Sequence, residues 1–194
     1  MRPRLSPAAA LSLVTAFLLG CAGLAWGRWA RPLLDAERAL ADGNVEAALQ
    51  GYGVADARVR RLGPGRYLLS AEHRAAAYNQ LALLYRAGDY ETLLDKAATA
   101  PPSASPHFWA GSAWLSRAVA EPKPDARLAA LSRAEDELKQ ALADDPDDWD
   151  AKFNYELAAR LAGALRREPP KKSDAPMMLL RPQPPQTRTM KRTG

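Results

Sequence analysis

Apolar and polar residues are arranged along this chain in two different ways. From Leu5 to Gly27 the run LSPAAALSLVTAFLLGCAGLAWG contains no charged residue, and a helix of that length covers a hydrocarbon core roughly 30 Å thick. Beyond Pro32 the apolar positions recur three and four residues apart, the spacing that puts them on one face of an α-helix. Ala48, Tyr52 and Ala55 make such a stripe after a turn at Gly43-Asn44. Leu81, Ala82 and Tyr85 precede a second turn at Gly88-Asp89-Tyr90, and Leu93, Ala97 and Ala100 follow it, up to Pro101. A third block predicts one helix over HFWAGSAWLSRAVA and, after EPKPD, another in which Ala134, Leu138 and Ala141 share a face and Pro146 stops the helix. Trp149, Phe153 and Leu157, four apart, predict a last helix fastened to the one before it.

Composition supports helices throughout. Alanine, leucine and arginine dominate while Val, Ile, Thr and Phe are scarce, which suits packed helices and not sheets. An all-α fold is expected, and 194 residues allow one domain of ordinary size plus tails. The expected organisation is a membrane anchor or signal segment over 1–30, a helical repeat domain over 31–167 and a disordered tail over 168–194. The tail reading rests on six prolines and the absence of helical periodicity in EPPKKSDAPMMLLRPQPPQTRTMKRTG. Within it APMMLLRP is a compact apolar strip, suited either to docking on a partner, the favoured reading, or to covering an exposed end of the solenoid. Charge separates along the same boundaries: from Arg166 onward there are eight basic and two acidic residues, whereas Leu5 to Leu165 nets −3. The tail has no aromatic residue on which a nucleic-acid base would stack, so a nucleic-acid partner is not expected.

Three fates fit the N-terminal segment. LLGC, ending at Cys21, resembles the lipobox of bacterial lipoproteins and makes Cys21 a lipidation candidate, yet the apolar run continues past it through Leu24 and Trp26 where a polar tether is usual. GLA at Gly23 to Ala25 suits a signal peptidase, but the apolar core before it exceeds the usual 7 to 15 residues, roughly, of a cleaved signal. Trp26 and Trp29, interleaved with Arg28 and Arg31, form the aromatic and basic belt that ends a membrane span. An uncleaved anchor is the favoured reading, with the repeat domain on the exported side of a bacterial inner membrane.

The helix pairs, their alanines at presumed crossings (Ala48, Ala82, Ala134), the turn glycines Gly43 and Gly88, and the stops at Pro101 and Pro146 resemble tetratricopeptide repeats. These are antiparallel helix pairs of about 34 residues that stack as a solenoid. Three departures stand out: the long linker RVRRLGPGRYLLS, one residue fewer before Gly88, and the interruption EPKP. The string DWDAKFNYELAARL is further similar to one in small membrane-anchored repeat proteins encoded beside MoxR-type AAA+ ATPases and von Willebrand factor A (VWA) domain proteins. Size and layout resemble the MxaK-type accessory proteins of methanol dehydrogenase gene clusters. That resemblance implies a non-enzymatic scaffold in the periplasm that helps a MoxR-type ATPase and a VWA-domain partner insert calcium into, or activate, a dehydrogenase. An envelope lipoprotein with a structural role in outer-membrane assembly is the alternative.

Candidate chemistry is sparse. No phosphate loop, nucleophile elbow or metalloprotease His-Glu pattern occurs, and no cofactor is expected. With one cysteine there is no internal disulfide, and His73 and His107 alone are a poor basis for a zinc site. Each begins a helix, where a structural role is the expectation. DDPDDWD puts five aspartates into seven residues; Asp145, Asp147 and Glu156 hold the first, third and twelfth places of an EF-hand-like loop, but the sixth, which needs glycine, is Asp150. The stretch is therefore read as a helix joint in which Asp147 or Asp148 caps the next helix. Arg58, Arg60, Arg61 and Arg66 form a basic cluster, read as a solvated face.

Overall fold

The computed structural model describes the backbone of residues 7–63 and 69–167, and side chains from Leu11 onward within them. Among these residues all regular structure is helical. Seven α-helices follow in order: α1 (Pro7–Ala41), α2 (Val45–Arg61), α3 (Ser70–Ala87), α4 (Tyr90–Ala97), α5 (Pro106–Ala120), α6 (Pro124–Asp144) and α7 (Trp149–Arg167), with one short 3-10 turn at Pro102–Ala104. The expected tail over 168–194 and Arg66 lie outside the described residues.

Local chemistry explains where the helices start and stop. Asn44, Asp89 and Asp148 open α2, α4 and α7, their Oδ1 atoms accepting from the backbone N–H of Ala47 (3.1 Å), Thr92 (3.2 Å) and Ala151 (3.0 Å); each bond satisfies one of the orphan donors of a helix N-terminus. Pro106 and Pro124 stand in the first turn of α5 and α6, where a missing N–H costs nothing. The reversals after α1 and α3 pass through Gly43 (φ 76°) and Gly88 (φ 75°), left-handed positions that a Cβ would strain.

The chain divides into two compact units with the boundary between Arg66 and Tyr67. In the first, α1 runs for 35 residues, about 52 Å at a rise of 1.5 Å per residue. It does not end near residue 30, where the anchor was expected to give way to the repeats, but passes straight through Pro32. A proline inside a helix removes the N–H that would serve the carbonyl four residues earlier, here that of Arg28. Arg58 of α2 supplies the replacement: its Nη1 donates to the carbonyls of Arg28 (3.2 Å) and Trp29 (3.3 Å). Arg58 is thus a structural donor and not part of a solvated cluster, and Arg60 likewise pairs at 2.8 Å with the buried carboxylate of Asp56. Sequence spacing could not separate Arg58, which is half-buried, from Arg60 and Arg61, which are exposed. Arg58→Met, which keeps the apolar stem and deletes the donor, is expected to cost about 1–3 kcal/mol and to speed amide hydrogen exchange in α1 around Pro32; exchange unchanged from the parent would remove Arg58 from this role.

In the second unit α5 is the central element, packing on its chain neighbours α4 and α6 and also on α3 and α7. Its burial is wide: Phe108, Trp109, Ala110, Ala113, Leu115 and Ala118 are all in the core, with Leu81, Leu93, Leu131, Ala134, Leu138 and Ala141 around them. The buried Asn154 of α7 donates through Nδ2 to Ser112 Oγ (3.1 Å), a polar tie inside that core.

Two expectations about packing are corrected. Ala82 is only half-buried while Leu81, Leu83, Leu84 and Tyr85 are buried, because the core face of α3 is centred on Ala77, Gln80 and Leu84, well round the helix from Ala82. Trp149 and Phe153 do not fasten α7 at all. They are 77% and 48% exposed, and the buried face is instead Ala151, Asn154, Leu157, Ala158 and Ala162. Aromatics four apart mark one face of a helix, but here small residues and an asparagine form the face that docks. Phe153→Ala is accordingly expected to stay within about 1 kcal/mol of the parent, whereas Asp148→Ala, which removes the α7 cap, costs about 1 kcal/mol or somewhat more. Denaturant midpoints of the two variants decide the order.

Candidate interaction surfaces

Two surfaces stand out once the helices are in place. The first is the N-terminal half of α1, an apolar rod exposed among the described residues: Leu11, Phe17 and Leu24 are 69%, 70% and 78% exposed. From Leu11 onward the helix is long and apolar enough to cross a membrane. Trp26 and Trp29 lie at the end of this stretch with ring centroids 5.7 Å apart; Arg28 and Arg31 are exposed beside them. The four residues expected to form an interfacial belt therefore occupy one short segment, just before α1 begins to pack on α2 at Pro32 and Ala36. The thiol of Cys21 is exposed within the apolar stretch.

The second surface is a groove in the other unit, of about 440 Å³, formed where the C-terminal half of α5 faces the N-terminal half of α6 next to the start of α4. Its floor is Trp114, half-buried, and its walls include Tyr90, Ala126, Ala129 and Ala130. Arg117 lies one helical turn after Trp114 on α5 and holds its guanidinium carbon 4.6 Å from the ring centroid; Arg133, from α6, lies 4.7 Å from the same ring. Cations over an indole face are attracted by its quadrupole. An aromatic chain backs the groove: Tyr90 meets Tyr85 at 5.7 Å between centroids, and Tyr85 meets the buried Trp109 at 5.8 Å. Burial raises the pKa of the Tyr85 phenol, partly opposed by its hydrogen bond with Ser116 Oγ (3.0 Å), and nearby Tyr90 raises it further.

Of the groove residues the sequence singled out only Tyr90, as part of a turn, and not Trp114, Arg117 or Arg133. Trp114 and Arg117, three apart in WLSR, share a helix face and were legible as a pair. Arg133 joins them only through the pairing of α5 with α6, which no local spacing reveals.

The remaining expected features resolve as follows. Ala48, Tyr52, Ala55, Leu81, Tyr85, Ala134, Leu138, Ala141 and Leu157 are buried, and Pro146 occupies the exposed turn between α6 and α7. His107 Nδ1 lies 2.8 Å from Glu137 Oε2 and so ties α5 to α6; His73 sits in the first turn of α3. In the aspartate joint Asp148 caps α7, and Asp145 Oδ1 accepts from the N–H of Asp147 (3.1 Å). Among the described residues no three carboxylate, imidazole or thiol groups converge as a metal site requires. No family model, no curated protein and no solved structure matches the chain.

Proposed function

We propose that this protein is a non-enzymatic scaffold, held to a membrane by α1, whose helical hairpins bind another protein. The observation that carries the reading is the exposed apolar rod from Leu11 to Trp26 joined to a separate compact unit of helices. Water does not tolerate so large an apolar patch without a partner, and about 20 apolar residues in a helix match a bilayer. The second unit supports a tetratricopeptide-like arrangement: each helix packs on the next, and α5 also meets α3 and α7, its neighbours at two steps along the chain. Repeats of this kind expose a continuous surface for protein ligands.

Within this reading the chain is a single-pass protein of a bacterial inner membrane with its helical unit in the periplasm. The similarity of DWDAKFNYELAARL to MxaK-type proteins supports a role in maturing a periplasmic enzyme such as methanol dehydrogenase, with a MoxR-type ATPase and a VWA-domain protein as partners. Purification of the full chain from detergent-solubilised membranes tests it: a protein partner recovered in near-stoichiometric amount is the expected result, and a chain that is recovered alone after mild crosslinking contradicts it. An acylated Cys21 at a new N-terminus would favour the envelope lipoprotein instead.

A further inference from the structure

We infer that the Trp114 groove between α5 and α6 is a docking site for an acidic segment of a partner protein, one that carries an apolar side chain between its carboxylates. This rests on the scaffold reading and adds the place and the chemistry of the contact.

Charge makes the first case. Arg117 and Arg133 both sit at the groove, both are exposed, and among the described residues neither meets a carboxylate at ion-pair distance. A guanidinium lying over an aromatic ring spends its face on the ring and keeps its N–H edge for other acceptors. Holding two such groups against one indole also restricts their rotamers in advance, so less side-chain entropy is lost when a carboxylate arrives. The groove's own acid, Glu121, makes no ion pair with either arginine among the described residues; its Oε1 accepts from the backbone N–H of Lys123 at 3.0 Å.

Shape makes the second. A bare anion needs only the arginines, but Tyr90, Trp114, Ala126, Ala129 and Ala130 present mostly carbon, which gains from water only by covering apolar area. The volume is within the range of about 300–1,000 Å³ typical of sites that bury a ligand, enough for one large apolar side chain with flanking carboxylates at the rim. The chain's own segment 168–194 does not complement the site, since it carries six basic and two acidic residues.

The test uses the full chain in uncharged detergent micelles and three fluorescein-labelled synthetic peptides read by anisotropy: one alternating Asp and Glu with Leu, one with Ser in place of Leu, and one with Lys in place of the acids. The Asp/Glu/Leu peptide is expected to bind saturably, and the double variant Arg117→Glu with Arg133→Glu to weaken it roughly tenfold or more. Both arginines are exposed, so helical circular dichroism should be unchanged. The Lys/Leu peptide should bind the double variant better than the parent, a charge-swap rescue that loss of folding cannot mimic. Equal affinity of parent and variant, no saturable binding to the parent, or equal binding of the Ser peptide would each overturn the assignment. So would a parent that sediments as a dimer while the variant is monomeric, because the acidic joint of a second copy would then be the occupant. Co-purification from membranes separates this inference from the one beneath it. A partner retained equally by the double variant overturns the groove alone; no partner with either protein overturns the scaffold, and the docking site with it.

Discussion

Trp109→Ala is expected to be among the most damaging single substitutions in the helical unit, costing about 3–5 kcal/mol. Trp109 is 1% exposed and stands at the meeting point of α3 and α5. Its ring lies 5.4 Å from Tyr78 and from Phe108, both edge-on, and 5.8 Å from Tyr85, so truncation would leave a cavity bounded by stiff rings that collapse poorly. At the size of this unit a loss of that magnitude lowers Tm by roughly 15 °C or more. Trp109→Phe is expected to cost less, for two reasons: most of the volume survives, and among the described residues the buried indole N–H has no hydrogen-bond partner to lose. Trp149→Ala is the control, since a residue 77% exposed should change Tm little. Thermal melts of the three variants that failed to rank in this order would mean that the core is not organised around Trp109.

The second large effect is expected at Gly111, where α5 crosses α6. A Cβ there would stand 2.5 Å from Leu138 Cγ, 3.0 Å from its Cδ2 and 3.1 Å from its backbone nitrogen. The side chain can shift, but the backbone nitrogen cannot without moving α6. Two opposing terms set the outcome for Gly111→Ala: about 1 kcal/mol gained from helix propensity against about 1–3 kcal/mol of overpacking. The net is modest destabilisation. Gly111→Val adds two methyl groups to the same contact with little gain in propensity, and is expected to cost about 3 kcal/mol. Because the clash is with one residue, Leu138→Ala should partly rescue Gly111→Ala, giving a double variant more stable than the sum of the single losses. Strict additivity would place the close contact elsewhere.

The helices were legible in the sequence because their signals are local. Three- and four-residue spacing marked the stripes at Ala48, Tyr52 and Ala55 and at Ala134, Leu138 and Ala141, and all six are buried. Asp148, one of two expected caps, is the one that accepts the bond from Ala151. What failed was the choice between faces. On α7 the largest apolar residues, Trp149 and Phe153, face solvent, while Ala151, Ala158, Ala162 and Asn154 face the core. Close helix approach selects small side chains, and size alone then misleads. On α1 the proline that was expected to begin a new element is instead tolerated inside one, because Arg58, thirty residues after Arg28, restores a donor to the Arg28 carbonyl. The groove was illegible for the same reason: Arg133 reaches Trp114 through tertiary pairing. Function was less legible still: the sequence displays no catalytic spacing, and the scaffold proposed for it would need none.

The tether separates this account most sharply from its alternatives. The decisive measurement is the intact mass of the chain recovered from carbonate-washed membranes. Full-length protein with an unmodified Cys21, retained in the membrane fraction, is the predicted result; a soluble chain shortened by about 20 residues, or a membrane-bound one that begins at an acylated Cys21, would contradict it.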